Sequence, residues 1–357
     1  MGLTMTAIRR KESVLFVASG NPKDGVPQPT SFVKSQADSM QQAGWKVFLS
    51  IVDDRTSLRG VLRNLRRIRR EVVHVKPGVI HAQYGSVTAA LAYCVKGRLP
   101  LVVSFCGDDL LGTPKPGVQW RVREKCARAL GIWAARWAAV VIVKSRNLFE
   151  VLPQELKNKC AILPNGVDTT WFVPMDRDAC RMKLGWDIGT KIVLFNVSEK
   201  EDQYRKNPVL AHETVAMASR RVPTVTLKVM SGHTREEVRW MLNAADCLLV
   251  TSLHEGSPNI VKEAMACNLP VVSVPCGDVV ERLNGTRPGK ICQYDASALA
   301  EAIEEVLSVG CRSNGLAQLT VQGLSAATIA KRLTTIYSSV QQGDSGVTES
   351  YKTACAE

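Results

Sequence analysis

Short β-branched runs alternate with helical patterns of about 10 to 15 residues along most of the chain, and the alternation halts at Pro164-Asn165-Gly166 before it resumes. Such alternation implies βαβ units and parallel sheets, because a parallel connection needs a crossover long enough to hold a helix. In the first half, residues 14–18, 47–52, 79–82, 101–104 and 140–143 read as buried strands, with helices at 31–43, 57–71, 87–96 and 118–137. Gly44 closes the first helix. After a polar stretch at 168–187, the second half reads as strands at 192–197, 225–230, 247–251 and 271–274, with helices at 208–220, 235–244, 258–267 and 297–307. A chain of 357 residues exceeds one ordinary core. The expected fold class is therefore α/β, with two doubly wound parallel-sheet domains facing each other and ligands held in the crevice at the carboxyl ends of the strands. The expected division is a first domain at 1–166, a second at 167–325, a helix at 326–340 crossing back to the first domain, and a disordered tail at 341–357.

The net charge of +13 calls for an anionic partner, and nucleic acid, an acidic membrane surface or a phosphorylated substrate would each serve. The densest cluster is Arg59, Arg63, Arg66, Arg67, Arg69 and Arg70, interleaved at helical spacing with Leu58, Val61, Leu62, Leu65, Ile68 and Val72. This basic amphipathic helix either packs as a surface helix or rests on anionic lipid headgroups. Interleaved aromatics and nucleic-acid motifs are missing from it, so no nucleic-acid partner is expected. No run approaches the roughly 20 apolar residues of a membrane span; the nearest, 132–143, contains Arg136. The N-terminus lacks a secretory pattern, so the expected location is cytoplasmic, with peripheral attachment to the inner membrane face as an extension. Eleven cysteines scattered without a CxxC pair read as reduced thiols.

The chemistry concentrates after the strand at 246–252, where the chain runs Leu253-His254-Glu255-Gly256-Ser257-Pro258-Asn259-Ile260. Ser257 is placed to cap a helix whose first residue is Pro258. A helix start beside a glycine offers free amides to an anion such as a diphosphate. Asn259 and Glu263 stand four apart and share a helical face, so Glu255 in the loop and Glu263 in the helix can hold two points of one ligand. His81 and His254, each near a strand end, read as structural hydrogen-bonders. Asp176-Arg177-Asp178 has no buried strand before it and is not read as a metal motif.

Glu255 and Glu263, with seven residues between them, resemble the E-x7-E signature of the retaining GT-B glycosyltransferases of family 4. Further similarity lies in His81-Ala82-Gln83-Tyr84, in 101–109, in Pro164-Asn165-Gly166-Val167-Asp168 with Phe172 and Pro174, and in Arg205-Lys206-Asn207-Pro208, collinear over about 14–307. The resemblance implies a GT-B fold of two Rossmann-like domains, the first on the acceptor side and the second binding the donor. It implies that Glu255 binds hydroxyls of the donor sugar, that Glu263 binds the ribose, and that the Gly256, Ser257, Pro258, Asn259 and Ile260 segment meets sugar and phosphates. Lys206 then stabilises the leaving diphosphate. Ser198 and Glu199 stand where the family carries an arginine, and Arg205 is the candidate to take its place. Cys106 replaces a family histidine, leaving Asp108 as the polar side chain facing the cleft. The loop 20–29, containing Gly25, matches the acceptor-side or phosphate-contacting loop, and the short 230–235 link, with Gly232 alone, lacks one βα unit of longer relatives. The implied activity is transfer of a hexosyl group from a nucleoside-diphosphate-sugar, a co-substrate rather than a cofactor, to a glycan or lipid-linked acceptor, with retention and without an essential metal. The alternatives are a sugar-nucleotide epimerase or hydrolase on the same fold, or a basic nucleic-acid-binding protein.

Overall fold

The computed structural model describes residues 12–23, 26–112, 118–197 and 203–343. In the first sheet the parallel strands β1 (Ser13–Lys23), β3 (Lys46–Val52), β4 (Val79–Ala82), β5 (Leu101–Phe105), β6 (Val140–Val143) and β7 (Cys160–Ile162) lie in the order β3-β1-β4-β5-β6-β7. The short strand β2 (Val26–Pro29) turns back antiparallel on the end of β1. Successive side chains of a strand point to opposite faces, and the two faces of this sheet form separate cores. Val14, Phe16 and Ala18 pack with Met40 and with Ile336 of the last helix, whereas Leu15 and Val17 pack with Ile68, Leu91 and Ala134. Both faces are covered, which is why these strands read as continuous apolar runs.

The second sheet is parallel throughout. Its strands β8 (Lys191–Asn196), β9 (Val225–Met230), β10 (Cys247–Val250), β11 (Val271–Ser273) and β12 (Gly289–Ile291) lie in the order β12-β11-β10-β8-β9. From β8 the chain first builds outward to β9 and then returns to the other flank of β8 with β10. The point where the order reverses is thus the gap between the carboxyl ends of β8 and β10, the place where such sheets hold ligands.

Two features join the halves. Val167 N donates to Leu324 O at 2.9 Å and Ala326 N to Val167 O at 2.7 Å, so the outgoing and returning chains run side by side. The helix Ala326–Gln342, capped by Ser325, then packs on the helix Ser31–Gln42 of the first domain. Its Tyr337 hydroxyl meets His81 Nδ1 at 2.6 Å, and His81 Nε2 meets Ser104 Oγ at 2.7 Å. His81 is fully buried, and burial pushes its pKa down, so it is a neutral structural hydrogen-bonder.

Several local expectations are corrected. The arginine-rich helix is Leu58–Val75, running past the expected end at residue 71, because the β-branched run at 72–75 continues onto the same packed helix instead of starting a strand. Its Arg59, Arg63, Arg66, Arg69 and Arg70 are exposed, but Arg67 turns inward onto Ile51 O and Asn64 Oδ1. The polar stretch at 168–187 contains the helix Arg177–Leu184, whose N-cap Asp176 accepts from Ala179 N at 2.7 Å. Asp178 pairs with Arg177, so the Asp-Arg-Asp triplet is a helix start. The ten described cysteines are free thiols. No described helix is long and apolar enough to cross a membrane.

Candidate functional site

The site grows from the switch point between β8 and β10. Thr251, just past β10, donates its hydroxyl to Lys206 O at 2.8 Å and to Asn207 O at 3.0 Å, and Leu253 N donates to Arg205 O at 2.8 Å. These bonds strap the Arg205–Asn207 turn against the loop that carries Glu255. Asn207 takes a left-handed conformation with φ 52°, and Pro208 then starts the next helix.

Glu255 is 7% exposed. Its Oε1 accepts from Lys206 Nζ at 2.7 Å, and its Oε2 pairs with Arg205 NH1. Burial alone would raise the pKa of this carboxyl, but the two cations overcome burial and hold it down to about 2. From the first domain, Asp108 Oδ2 lies 3.7 Å from Arg205 Nε, and Asp108 Oδ1 lies 3.5 Å from His254 Nε2. Asn147 Nδ2 donates to Glu255 O at 2.9 Å, again across the seam. Glu255, Arg205, Lys206 and Asp108 therefore meet at one place where the two domains face each other.

Close approach of backbone explains the glycine in this loop. A Cβ on Gly256 would stand 2.5 Å from Cys106 O of the first domain, so any side chain there must part the two loops. Below it, Gly277 at φ 58° passes so near that its Cβ would lie 2.6 Å from Gly256 O.

The following helix is Asn259–Ala266, with Pro258 in the cap position and no side-chain cap bond. This corrects the expectation that Ser257 caps it and Pro258 is its first residue. The Ser257 hydroxyl instead donates to Asp278 Oδ2 at 2.8 Å and accepts from Lys262 Nζ at 2.9 Å. A carboxylate buried beneath the loop outcompetes the helix amides for that hydroxyl. Among the described residues the amides of Gly256, Ser257, Asn259 and Ile260 accordingly have no acceptor, and they gather at the positive end of the helix.

Glu263 lies one turn beyond Asn259 on the same face, half-buried, and no described residue hydrogen-bonds or ion-pairs with its carboxyl. Burial raises its pKa to about 7, against the pull of Lys262 and Arg235. Asn259 Oδ1 meets Asn165 Nδ2 of the interdomain turn at 3.5 Å. The site thus offers a row of free amides, two cations, one ionised carboxylate and one poised carboxyl. Such a set can hold a ligand that is anionic at its middle and hydroxyl-bearing at both ends.

Gly25 and the Ser198-Glu199 pair lie outside the described residues. Cys106 does stand beside the loop, but burial lifts its thiol pKa to about 12, so it is no imidazole-like base. Sequence reasoning missed several residues that shape the site. Asp109 accepts from the amides of Gly85, Cys106 and Gly107 at 2.7 to 2.9 Å and fixes the loop after β5. Lys262, 1% exposed, donates to Asn165 O at 2.9 Å and ties the helix to the interdomain turn. A lysine between Val261 and Ala264 on the packed face of a short helix was the available signal for this role.

Two family models match this chain: glycosyltransferase family 4 over residues 28–171 and glycosyl transferases group 1 over residues 211–309, together more than half of its length. The chain belongs to glycosyltransferase family 4. Relatives in the family include TuaC of Bacillus subtilis, assigned as a glycosyltransferase of teichuronic acid biosynthesis, which is 25% identical over 64% of this chain and 60% of its own. A D-inositol 3-phosphate glycosyltransferase of Pseudarthrobacter chlorophenolicus is 25% identical over 69% of this chain and 66% of its own. The chain thus spans less than two thirds of each relative's length. Among solved structures, sucrose-phosphate synthase of Thermosynechococcus elongatus aligns with a TM-score of 0.73 at 16% identity, over 93% of this chain and 99% of that one. HepE of Anabaena, solved with UDP-glucose, aligns with a TM-score of 0.68 at 17% identity, over 92% and 99%. At these identities the likeness is one of fold, and that fold is GT-B.

Proposed function

We propose that this family 4 protein transfers a hexosyl group from a nucleoside-diphosphate-sugar to an acceptor hydroxyl, with retention at the anomeric carbon. The observation that carries the reading is the meeting of Glu255, Arg205 and Lys206 beside a helix start whose amides are free, with the unpartnered Glu263 on the next turn. The ribose hydroxyls would donate to Glu263, the diphosphate would lie on the amides of 256–260 with Lys206 and Arg205, and the sugar hydroxyls would reach Glu255. In the reaction the acceptor oxygen forms a bond to the anomeric carbon as the bond from that carbon to the diphosphate oxygen breaks. The acceptor proton passes to the departing diphosphate, leaving on the same face. The cations and amides stabilise charge that builds on the leaving group, a contribution typically worth about 3 to 4 kcal/mol for one donor. Turnover in the presence of EDTA is expected, because these groups already occupy the role a metal would play.

The location this reading favours is cytoplasmic, with peripheral attachment to an anionic membrane face where lipid-linked or polymer-linked glycans of the cell surface are assembled. The helix Leu58–Val75 supports it by exposing Leu58, Leu62 and Val73 among Arg59, Arg66, Arg69 and Arg70. Binding to vesicles containing anionic lipid, lost in Arg66→Glu/Arg70→Glu, checks this part.

The deciding experiment is product analysis with a panel of nucleoside-diphosphate-sugars, starting from UDP-glucose, and a set of polyol and glycan acceptors. Transfer with the donor's anomeric configuration is expected, and Glu255→Ala should abolish it. Release of free or epimerised sugar with no transfer to any acceptor would instead favour a hydrolase or epimerase.

A further inference from the structure

Three buried polar atoms without a partner among the described residues lie at the carboxyl ends of strands of the first sheet. Lys144 directly follows β6, is 2% exposed, and its ammonium makes no hydrogen bond to a described residue. Gln83 Oε1, after β4, and Asn165 Oδ1, after β7, are also buried and unbonded. Cys106, after β5, stands beside the first two residues: its thiol donates to the backbone Gln83 O at 3.5 Å and lies near enough to Lys144 for each to affect the other's ionisation. Lys262, which holds Asn165 O, feels the charge of Lys144 as well. Asp109 lies near enough to raise the Lys144 pKa, but it relieves that charge only in part and makes no hydrogen bond to the ammonium, its oxygens being bonded to the amides of Gly85, Cys106 and Gly107.

A fold gains little from enclosing an ammonium that no described residue hydrogen-bonds, and burial outweighs the pull of Asp109 and pushes the Lys144 pKa down. Removing such a lysine would cost the fold little, so its presence on the ligand-bearing edge of the acceptor-side sheet asks for a ligand that completes it. The chemistry of that ligand follows from what is unmet. The ammonium needs an oxyanion, and the two amide carbonyls need hydroxyl or amine donors.

We propose that Lys144, with Gln83 and Asn165, forms a subsite that selects acceptors carrying a carboxylate or phosphate on a polyhydroxylated frame. This assignment rests on the glycosyltransferase reading and deepens it by naming the acceptor class. Lys144 is a specificity-determining residue here and takes no part in the bond exchange.

The test is calorimetric titration of the wild type and Lys144→Met, both with UDP present, using glucuronate against glucose and sn-glycerol 3-phosphate against glycerol. The wild type should bind at least one anion ten times or more tightly than its neutral counterpart, glucuronate marking a carboxylate subsite and glycerol 3-phosphate a phosphate subsite. Lys144→Met should lose that discrimination while its Tm is no lower than that of the wild type; should it fail to fold, Lys144→Gln makes the same comparison. A wild type indifferent to the charge, or a discrimination kept by the variant, overturns the assignment. UDP, ADP, GDP and dTDP titrated alone into the wild type separate the two levels: binding of one of them without anion preference overturns the acceptor subsite alone, and binding of none overturns the glycosyltransferase reading and the subsite with it.

Discussion

Replacing Glu255 by glutamine keeps the shape of the side chain and deletes its charge, leaving Lys206 and Arg205 buried against a neutral amide. The structure sets the size of the effect. The two cations hold the carboxyl at about 2 against an ordinary value of 4.5, a difference that corresponds to about 3 kcal/mol. That agrees with the roughly 3 to 5 kcal/mol lost when one partner of a buried ion pair is removed. The folded value is depressed, so the stabilisation is complete above the unfolded value near 4.5 and disappears as pH falls through about 2. Urea denaturation at a series of pH values should therefore find Glu255→Gln less stable by about 3 kcal/mol above pH 5, with the gap closing toward pH 2. A variant as stable as the wild type at pH 7, or a gap that does not change with pH, would refute the argument that the carboxylate is ionised and held by both cations.

Further outcomes follow from neighbouring residues. Lys206→Met should lower kcat for sugar transfer by about a hundredfold to a thousandfold, measured under saturating donor, since it removes one donor to the leaving diphosphate. The Glu263 carboxyl, raised to about 7 by burial, should ionise when ribose hydroxyls bond to it, so by calorimetry the gain in UDP affinity from pH 6 to pH 8 should be larger in the wild type than in Glu263→Gln, where only the terminal phosphate of UDP titrates. Gly256→Ala, whose new methyl would stand 2.5 Å from Cys106 O, should keep the fold by circular dichroism but lose most transfer activity by holding the loops apart. Tyr337→Phe, which takes a hydrogen bond from the buried His81, should cost about 1 to 3 kcal/mol in thermal or urea unfolding.

The parts of this molecule legible in its sequence are those written in local periodicity and in strand-end chemistry. Val79–Ala82 and Val140–Val143 match their expected bounds because fully buried parallel strands are continuous β-branched runs. The three-residue strands Cys160–Ile162 and Gly289–Ile291 are too short to carry a period and gain their partners only from the completed sheets. Glu255 is legible in the loop after β10, and Arg205 and Lys206 in the short segment that joins β8 to the next helix, because both connections leave the carboxyl ends of neighbouring strands. Ser257 does not cap the helix because its hydroxyl bonds to Asp278, 21 residues away and invisible to a local capping rule. Asn147 and Asn165 reach the site across the domain seam, and no local pattern encodes a partner supplied by the other sheet. Arg67 looked like one more arginine of a basic face, and only the neighbouring strand edge at Ile51 turns it inward.

The central claim is that one donor nucleotide lies between the domains with its diphosphate on the amides of 256–260. A crystal structure of the protein grown with UDP tests it most directly. The account predicts diphosphate density against those amides and Lys206, with the ribose hydroxyls on Glu263; nucleotide density away from Glu263 and the 256–260 amides would contradict it.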